Sequence, residues 1–376
     1  TANDISNPSP PTDQTVRICP VPREVLTGID LDGYVETEGY DVPWTRFGEA
    51  PWSLERPEVG ALMEKIQKVG VPLMDLISRN PILCLKTGLN TAFLITQETK
   101  ETLILQHPDC TPLIKPYFRG QDIKRWKSEW ENIWIILIKS SGDHKWQWSE
   151  EKDQNKAENI FAKSFPSIYA HLKPQEKQLR KRTDQGKNWW ELRPCSFYDV
   201  FENPKIYYQQ IQFYPCYSFE SDEFFANNKV SLLSTKDLFI LSTLNSPLLW
   251  WYNWRYLPHM KDEALAPVGY LVEQFPIAPP TDEIREQTEP KVQRLIELTK
   301  TNQQAYRDVL DWFKSRYNIE KPGQKLERFA TLSEDEFLVE LRKRIPKKGK
   351  SGDPLGVAGQ DRKSTRLNSS HSDRSR

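Results

Sequence analysis

The chain has 376 residues, of which 38% are hydrophobic and 28% are charged, a composition typical of a folded globular protein. Its 52 Lys and Arg equal its 52 Asp and Glu, which excludes a uniformly basic protein that coats DNA without selectivity. Residues 341–376 alone contain eleven Lys and Arg against three Asp, a balance of +8, so the first 340 residues carry −8. Any anionic partner must therefore be bound by local patches.

The cysteines and the apolar stretches bear on the cellular compartment of the protein. The five cysteines are scattered and form no CxxC pair, so neither a zinc site nor a disulfide framework is predicted. They are Cys19, Cys84, Cys110, Cys195 and Cys216. The most apolar stretch, Phe239 to Tyr252, is interrupted at Asn245, Ser246 and Pro247 and is too short to span a bilayer. We expect a cytoplasmic protein.

Residues 1–51 are rich in proline and weakly periodic, as in NPSPPTD, and they begin without methionine. This pattern predicts a linker, or the remnant of an upstream domain, and hence a chain that is a fragment at this end.

Residues 52–280 alternate between helical and strand patterns. From Pro57 to Asn80 a helix is predicted, because apolar residues recur on one face. Strands are predicted in PILCLK (81–86), TAFLIT (91–96), ENIWIILIK (131–139), KIYYQQIQFYPCYSF (205–219) and KVSLLS (229–234), with a turn at 87–90. A further helix is predicted from Lys236 to Tyr256, with Ser234 and Thr235 as caps.

The C-terminal part is predicted to be helical and then disordered. Residues 281–346 contain an amphipathic helix over 281–317 and a second helix over 333–344. Residues 347–376 read as a disordered tail, whose end, DRKSTRLNSSHSDRSR, resembles translated sequencing-adapter DNA. The fold class is therefore α+β: a mixed or antiparallel sheet with flanking helices and long loops, followed by a C-terminal helical segment.

Catalytic signatures are missing from the sequence. It contains no GxGxxG, FxGxG or GxxxxGK[ST] segment, no Asn-Pro-Pro-aromatic motif, no HExxH and no GxSxG. The five histidines lie far apart. Asp143 with Glu150-Glu151-Lys152 has the spacing of a metal-dependent nuclease, but such spacing is common in charged loops. No catalytic, cofactor-binding or metal residue is therefore assigned, and a metal-dependent nuclease fragment stays an alternative.

Three pieces of sequence occur in a characteristic order. They are KTGLNTAFLI at 86–95, IKPYFRGQDIKRW at 114–126, and WWELRPCSFYDVFENPKIYYQQI at 189–211 followed by LSTLNSPLLWWY at 241–252. The series resembles the TaqI-like C-terminal specificity domain of type IIG restriction–modification enzymes and related adenine-specific DNA methyltransferases. The resemblance covers residues 52–280.

The resemblance implies a target-recognition domain that grips double-stranded DNA and reads its bases. The covalently linked methylase domain upstream would flip an adenine and methylate it from S-adenosylmethionine, with Mg²⁺ added where the parent enzyme also cleaves DNA. No cofactor is implied for this chain itself. An aromatic-rich carbohydrate- or protein-binding module remains a second alternative, because aromatic residues make up 11% of the chain and occur in clusters.

Candidate DNA-binding residues follow from what phosphates and base edges require, namely cations and side-chain amides. Basic residues lead into paired aromatics in the best segment, at Lys173, Lys177, Lys181, Arg182, Asn188, Trp189, Trp190 and Arg193. The competing interpretation is a solvated helix face with the tryptophan pair buried beneath it. The second group surrounds Gly120 and comprises Arg119, Gln121, Lys124 and Arg125, although Arg119 has the spacing to pair with Asp122 instead. Lys205 and Gln209 form the third group, for which an ordinary sheet surface is the competing interpretation.

Overall fold

The computed structural model describes residues 14–21, 26–47 and 54–346. The predicted tail over 347–376 and the first 13 residues of the predicted linker lie outside these ranges. Two compact units divide the chain between Gln293 and Arg294. Among the described residues, no helix combines the length and apolar character that a bilayer crossing requires.

Twelve strands lie in the described part of the chain, and most are short. They are β1 (Thr15–Ile18), β2 (Tyr40–Pro43), β3 (Val71–Pro72), β4 (Ile82–Leu83), β5 (Leu94–Ile95), β6 (Ile114–Phe118), β7 (Trp134–Ile136), β8 (Lys205–Gln209), β9 (Tyr217–Glu220), β10 (Phe225–Ala226), β11 (Val230–Leu233) and β12 (Pro276–Ile277).

Thirteen α-helices accompany them in the same part. They are α1 (Leu31–Glu38), α2 (Pro57–Val69), α3 (Asn90–Phe93), α4 (Gln97–Gln106), α5 (Gln154–Ser164), α6 (Pro166–Leu172), α7 (Glu176–Leu179), α8 (Leu238–Leu244), α9 (Pro247–Tyr256), α10 (Gly269–Val272), α11 (Asp282–Tyr317), α12 (Gly323–Glu327) and α13 (Glu334–Arg344).

Two four-stranded sheets organise the first unit. One has the order β4-β11-β8-β9 and is antiparallel throughout. The other has the order β10-β6-β7-β5 and is mixed, because β10 runs parallel to β6. Two-stranded ribbons, β1-β2 and β3-β12, complete the pairing. The α+β prediction with mixed and antiparallel sheets and a C-terminal helical segment is confirmed.

A hydrophobic core of the first unit is rich in aromatic side chains. It joins β5, β6 and β7 to helices α4, α5 and α6, with Phe161, Trp148 and Trp190 among its fully buried members. Trp190 stacks on Phe161 with ring centroids 5.0 Å apart and planes 3° from parallel. Such rings contribute large buried areas. The second unit has a separate small core. Its buried members are Phe313, Tyr317, Ile319, Leu326 and Leu341.

Several local expectations needed revision. The helix predicted over Pro57–Asn80 ends at Val69. The Lys236–Tyr256 helix breaks into α8 and α9 at Pro247, since proline lacks the donor that a continuous helix requires. Asp237 rather than Ser234 or Thr235 caps α8, through hydrogen bonds from the backbone N–H groups of residues 239 and 240.

The strands predicted on either side of the turn at 87–90 lie in different sheets. β4 pairs with β11, whereas β5 pairs with β7, and Asn90–Phe93 forms a short helix before β5. Within the range predicted to be a linker, β1 and β2 form an antiparallel ribbon with α1 between them.

Candidate nucleic-acid interface

The segment from Lys173 to Arg193 follows α6 as a 3-10 turn, continues as α7 and then becomes an irregular loop. Arg182 lies at the centre of this loop and is only 8% exposed. Its guanidinium donates to the main-chain carbonyls of Thr87 (2.7 Å), Trp189 (2.7 Å) and Glu191 (2.9 Å). Burial lowers the pKa of Arg182 to about 10. Arg182 therefore links its own loop to the turn that contains Thr87, and little of its surface is left to contact a DNA strand.

The turn at 87–90 packs directly on Arg182. Gly88 has a φ of +71°, which favours glycine, and a Cβ there would lie 3.0 Å from Cδ of Arg182. Thr87 Oγ1 donates to Asn90 Oδ1 at 2.7 Å and closes the turn. The two pieces of sequence are thus locked together.

Glu191 is a second buried polar centre of the loop, with no exposed surface. Its carboxylate accepts from Trp148 Nε1 at 2.8 Å, from Asn188 Nδ2 at 2.8 Å and from the backbone N–H of Ser141 at 3.0 Å. A buried carboxylate is tolerated when several donors satisfy it. Asn188 is consequently a structural residue whose amide is occupied inside the protein.

The paired tryptophans are also interior residues. Trp190 has no exposed surface and Trp189 is 2% exposed. Trp189 Nε1 donates to Glu158 Oε2 at 3.1 Å. Burial leaves these side chains little surface for the DNA contacts predicted for Arg182, Asn188, Trp189 and Trp190.

Acidic neighbours neutralise part of the basic run. Lys173 Nζ lies 2.5 Å from Glu158 Oε1 and 2.7 Å from Glu176 Oε2. The hydrogen bond to Glu158 is the main reason that the pKa of Lys173 is raised. Arg180 pairs with the same two carboxylates, at 3.3 and 2.7 Å. These two cations have little net charge to offer a phosphate.

Three lysines of the segment remain exposed: Lys177, Lys181 and Lys187. None of them forms an ion pair within the described ranges. Arg193 is also exposed and approaches Asp184 at 3.4 Å, a carboxylate that Lys86 contacts at 2.8 Å. Lys86 belongs to one of the sequence pieces quoted above, but only the folded chain brings it beside Arg193.

The Gly120 turn contains mostly structural residues. The Asp122 carboxylate accepts twice from Arg119: Arg119 Nη2 donates to Oδ1 at 2.9 Å, and the Arg119 backbone N–H donates to Oδ2 at 2.7 Å. Arg119 also pairs with Glu131 at 3.0 Å. Arg125 Nη2 donates to the carbonyl of Asn245 at 2.6 Å. These internal pairings compete with the DNA contacts predicted for Arg119 and Arg125, because each guanidinium already donates to an acceptor within the protein.

Gln121 and Lys124 keep free surface at this turn. Gln121 is exposed and Lys124 is half-buried, and neither has a hydrogen-bond partner within the described part of the chain. Lys229, which the sequence analysis did not select, is exposed. It lies next to this turn, because a Cβ on Gly120 would be 3.1 Å from the Cβ of Lys229. The turn between β10 and β11 carries this lysine, so only tertiary pairing could have revealed it.

The third group lies inside a sheet. Lys205 is fully buried, and its Nζ donates to the carbonyls of Asn203 and Asp222, both at 2.8 Å. Burial lowers the pKa of Lys205 to about 8. Gln209 Nε2 donates to the carbonyls of Gly120 (2.9 Å) and Ile123 (2.8 Å). Both side chains hydrogen-bond within the protein, and these bonds compete with the DNA contacts predicted for them.

Asp143 and Glu150, the two carboxylates considered as metal ligands, have different environments. Asp143 Oδ2 accepts from the backbone N–H of Cys195 at 2.5 Å, while Glu150 is exposed. Among the described residues, no group of three His, Cys, Asp or Glu side chains could hold a metal ion.

The C-terminal part of the chain matches a known protein family. Residues 281–364 match a family described as a domain of unknown function (DUF8810), which covers less than a quarter of the chain. No curated protein matches the chain.

Two of the solved structures that resemble this chain are restriction–modification enzymes. One is the type IIL restriction-modification enzyme MmeI in complex with DNA, at 12% identity and a TM-score of 0.38, covering 78% of this chain and 36% of MmeI. Another is the type IIG restriction endonuclease BpuSI, at 9% identity and a TM-score of 0.36, covering 76% of this chain and 32% of BpuSI. The chain thus spans about a third of the length of either enzyme.

Proposed function

We propose that this chain is a sequence-specific DNA-recognition module of a restriction–modification enzyme. In this proposal a covalently linked, adenine-specific methyltransferase domain carries S-adenosylmethionine and performs the chemistry, in a parent of the type IIG class. The observation that carries the proposal is the set of exposed lysines without ion pairs, at Lys177, Lys181 and Lys187, in one segment of an otherwise acidic unit.

Rigidity is the first support for a recognition surface. Lys181 and Lys187 lie on the loop that Arg182 and Glu191 tie to the turn at 87–90 and to Trp148, and Lys177 lies on α7, directly before that loop. Cations held by a stiff backbone lose little conformational freedom when they meet a phosphate strand, and they therefore set its register.

Selective neutralisation is the second support. Glu158 and Glu176 cancel Lys173 and Arg180, so the remaining positive charge is confined to a few positions. A confined basic patch on a unit of negative net charge favours DNA in one orientation over general adsorption. The family resemblance of residues 52–280 supplies the assignment to an adenine methyltransferase.

Salt-dependent binding tests the proposal. The full chain is titrated with a fluorescent duplex of random sequence at about 50 and about 200 mM salt, a range over which counterion release changes affinity strongly. The triple variant K177A/K181A/K187A is compared with K68A, an exposed lysine of α2 without an ion pair in the described residues. We expect the triple variant to lower the slope of log affinity against log salt by about 0.9 per lysine, and K68A to leave it unchanged.

Two results contradict the proposal. One is the absence of duplex binding at low salt, both by this chain and by the chain fused to a methylase domain. The other is an equal effect of K68A and the triple variant, which indicates adsorption rather than a defined surface.

A further inference from the structure

A cleft of about 370 Å³ runs along β4, an edge strand of the antiparallel sheet. The opposite wall is the segment that follows the basic loop, from Arg193 to Phe197. The residues that define its chemistry are Leu83, Lys86, Arg193, Pro194, Phe197 and Asn228. Its volume falls in the range of small-ligand sites.

One part of the cleft is cationic. Lys86 and Arg193 converge on the single carboxylate of Asp184, at 2.8 and 3.4 Å, and their side chains are 52% and 55% exposed. Two cations share one anion, so a positive charge is left over at this point. A phosphate is the ligand group that such a pair accepts through charge-assisted hydrogen bonds.

A free amide and an apolar wall complete the lining. Asn228 is partly exposed, and its side chain has no hydrogen-bond partner within the described ranges. The parallel bridge between Leu85 and Asn227 holds it across from β4. Leu83, Pro194 and Phe197 supply apolar surface, and Leu83 is 49% exposed. An amide beside apolar surface suits the edge and the face of a planar base.

We propose that this cleft binds one nucleotide whose base is unpaired. Its phosphate lies at Lys86 and Arg193, its base packs on the apolar wall, and the base edge meets Asn228. The idea rests on the proposed function, because Arg193 ends the segment that carries the exposed lysines. The same chemistry fits a nucleotide turned out of a DNA strand and a free mononucleotide, and these two sources are separated by experiment.

The test compares three ligands with the full chain: a paired duplex, the same duplex with a single bulged 2-aminopurine nucleotide, and free dAMP. We expect about tenfold tighter binding of the bulged duplex than of the paired one, with quenching of 2-aminopurine as it stacks. Asn228→Ala and the conservative Phe197→Leu remove most of this preference and leave paired-duplex affinity unchanged. Lys177→Ala is the matched control and weakens both duplexes equally.

Each outcome decides between the two proposals. Paired-duplex binding without any preference for the bulge and without dAMP binding overturns the cleft assignment and leaves DNA recognition intact. A preference that persists in both cleft variants overturns it as well. Binding of dAMP that Asn228→Ala abolishes, with no duplex binding at all, supports a free-nucleotide site and overturns the proposed function instead.

Discussion

The guanidinium of Arg182 donates to the main-chain carbonyl of Glu191 at 2.9 Å, and this bond joins the two buried polar centres of the basic loop. From there Arg182 reaches Thr87, and the Glu191 carboxylate reaches Trp148. The side chains of exposed lysines are mobile, so the position of their charges depends on how firmly the backbone is held. The first two predictions concern this support.

Replacing Arg182 by methionine leaves several buried carbonyls without donors. Because hydrogen bonds from a charged group contribute about 1.5–3 kcal/mol each, and relaxation recovers part, we expect a loss of about 3 kcal/mol in the free energy of unfolding. Urea unfolding followed by tryptophan fluorescence measures it in the first unit. Arg180→Met is the control: its ion pairs are partly exposed, and we expect a loss under about 1 kcal/mol. Equal losses in the two variants contradict the structural role of Arg182.

Glu191 is expected to protect the loop from proteolysis. In Glu191→Ala, the indole N–H of Trp148 and the amide of Asn188 lose a buried acceptor, which costs about 3 kcal/mol. Trypsin should then cleave faster after Lys177, Lys181 and Lys187, as mass spectrometry of early fragments would show. Glu191→Gln retains one carbonyl oxygen and should give an intermediate rate, while the exposed Glu150→Ala should cleave like the parent chain. An unchanged rate in Glu191→Ala means that the carboxylate does not hold the loop.

The Gly120 turn separates structural from contacting residues. Arg119→Met removes the side-chain donors of Asp122, which is 1% exposed, and leaves the backbone N–H of residue 119 as a donor to it. We expect a loss of about 2 kcal/mol, since Arg119 is itself partly solvated. The salt slope of DNA binding should stay constant in this variant when measured well below its unfolding transition. Gln121→Ala should change stability by less than about 0.5 kcal/mol. A salt slope that drops in Arg119→Met would show that this guanidinium meets phosphate despite its internal pairing.

Sequence patterns anticipated the fold class and some local pairings. Periodicity located α2 and α11, and the three-residue spacing of Arg119 and Asp122 offered the ion pair as the alternative to a DNA contact. These features depend on neighbours in sequence, which is the information that a pattern contains.

Sequence patterns could not predict which cations of the Lys173–Arg193 segment are exposed and which are buried. Lys181 and Arg182 are adjacent, yet one is exposed and the other is buried. The difference arises because the carbonyls of Thr87 and Trp189 face Arg182, and Thr87 comes from a turn almost a hundred residues away. Lys86, Arg193 and Asn228 meet in one cleft for the same reason. Tertiary pairing, not charge density, decides which cations reach the surface.

His171 provides a prediction for pH. It is partly buried on α6, its Nε2 lies 3.1 Å from the carbonyl of Ala92, and burial lowers its pKa below the ordinary value. In the unfolded chain His171 takes up a proton near pH 6.5, whereas in the folded chain it stays neutral to lower pH. The contribution of neutral His171 to the free energy of unfolding is therefore fully present above about pH 6.5. It falls as the pH drops toward the pKa of folded His171.

Urea unfolding at about pH 7.5 and about pH 5.5, on either side of the unfolded pKa, measures this effect. His171→Gln should lose less stability than the parent chain between the two values, because the glutamine does not titrate. His144, whose pKa is also lowered by burial, gives the same sign and remains in both proteins. If His171→Gln and the parent chain lose equal stability, folded His171 is protonated as readily as in the unfolded chain, and its contact with Ala92 is solvated rather than buried.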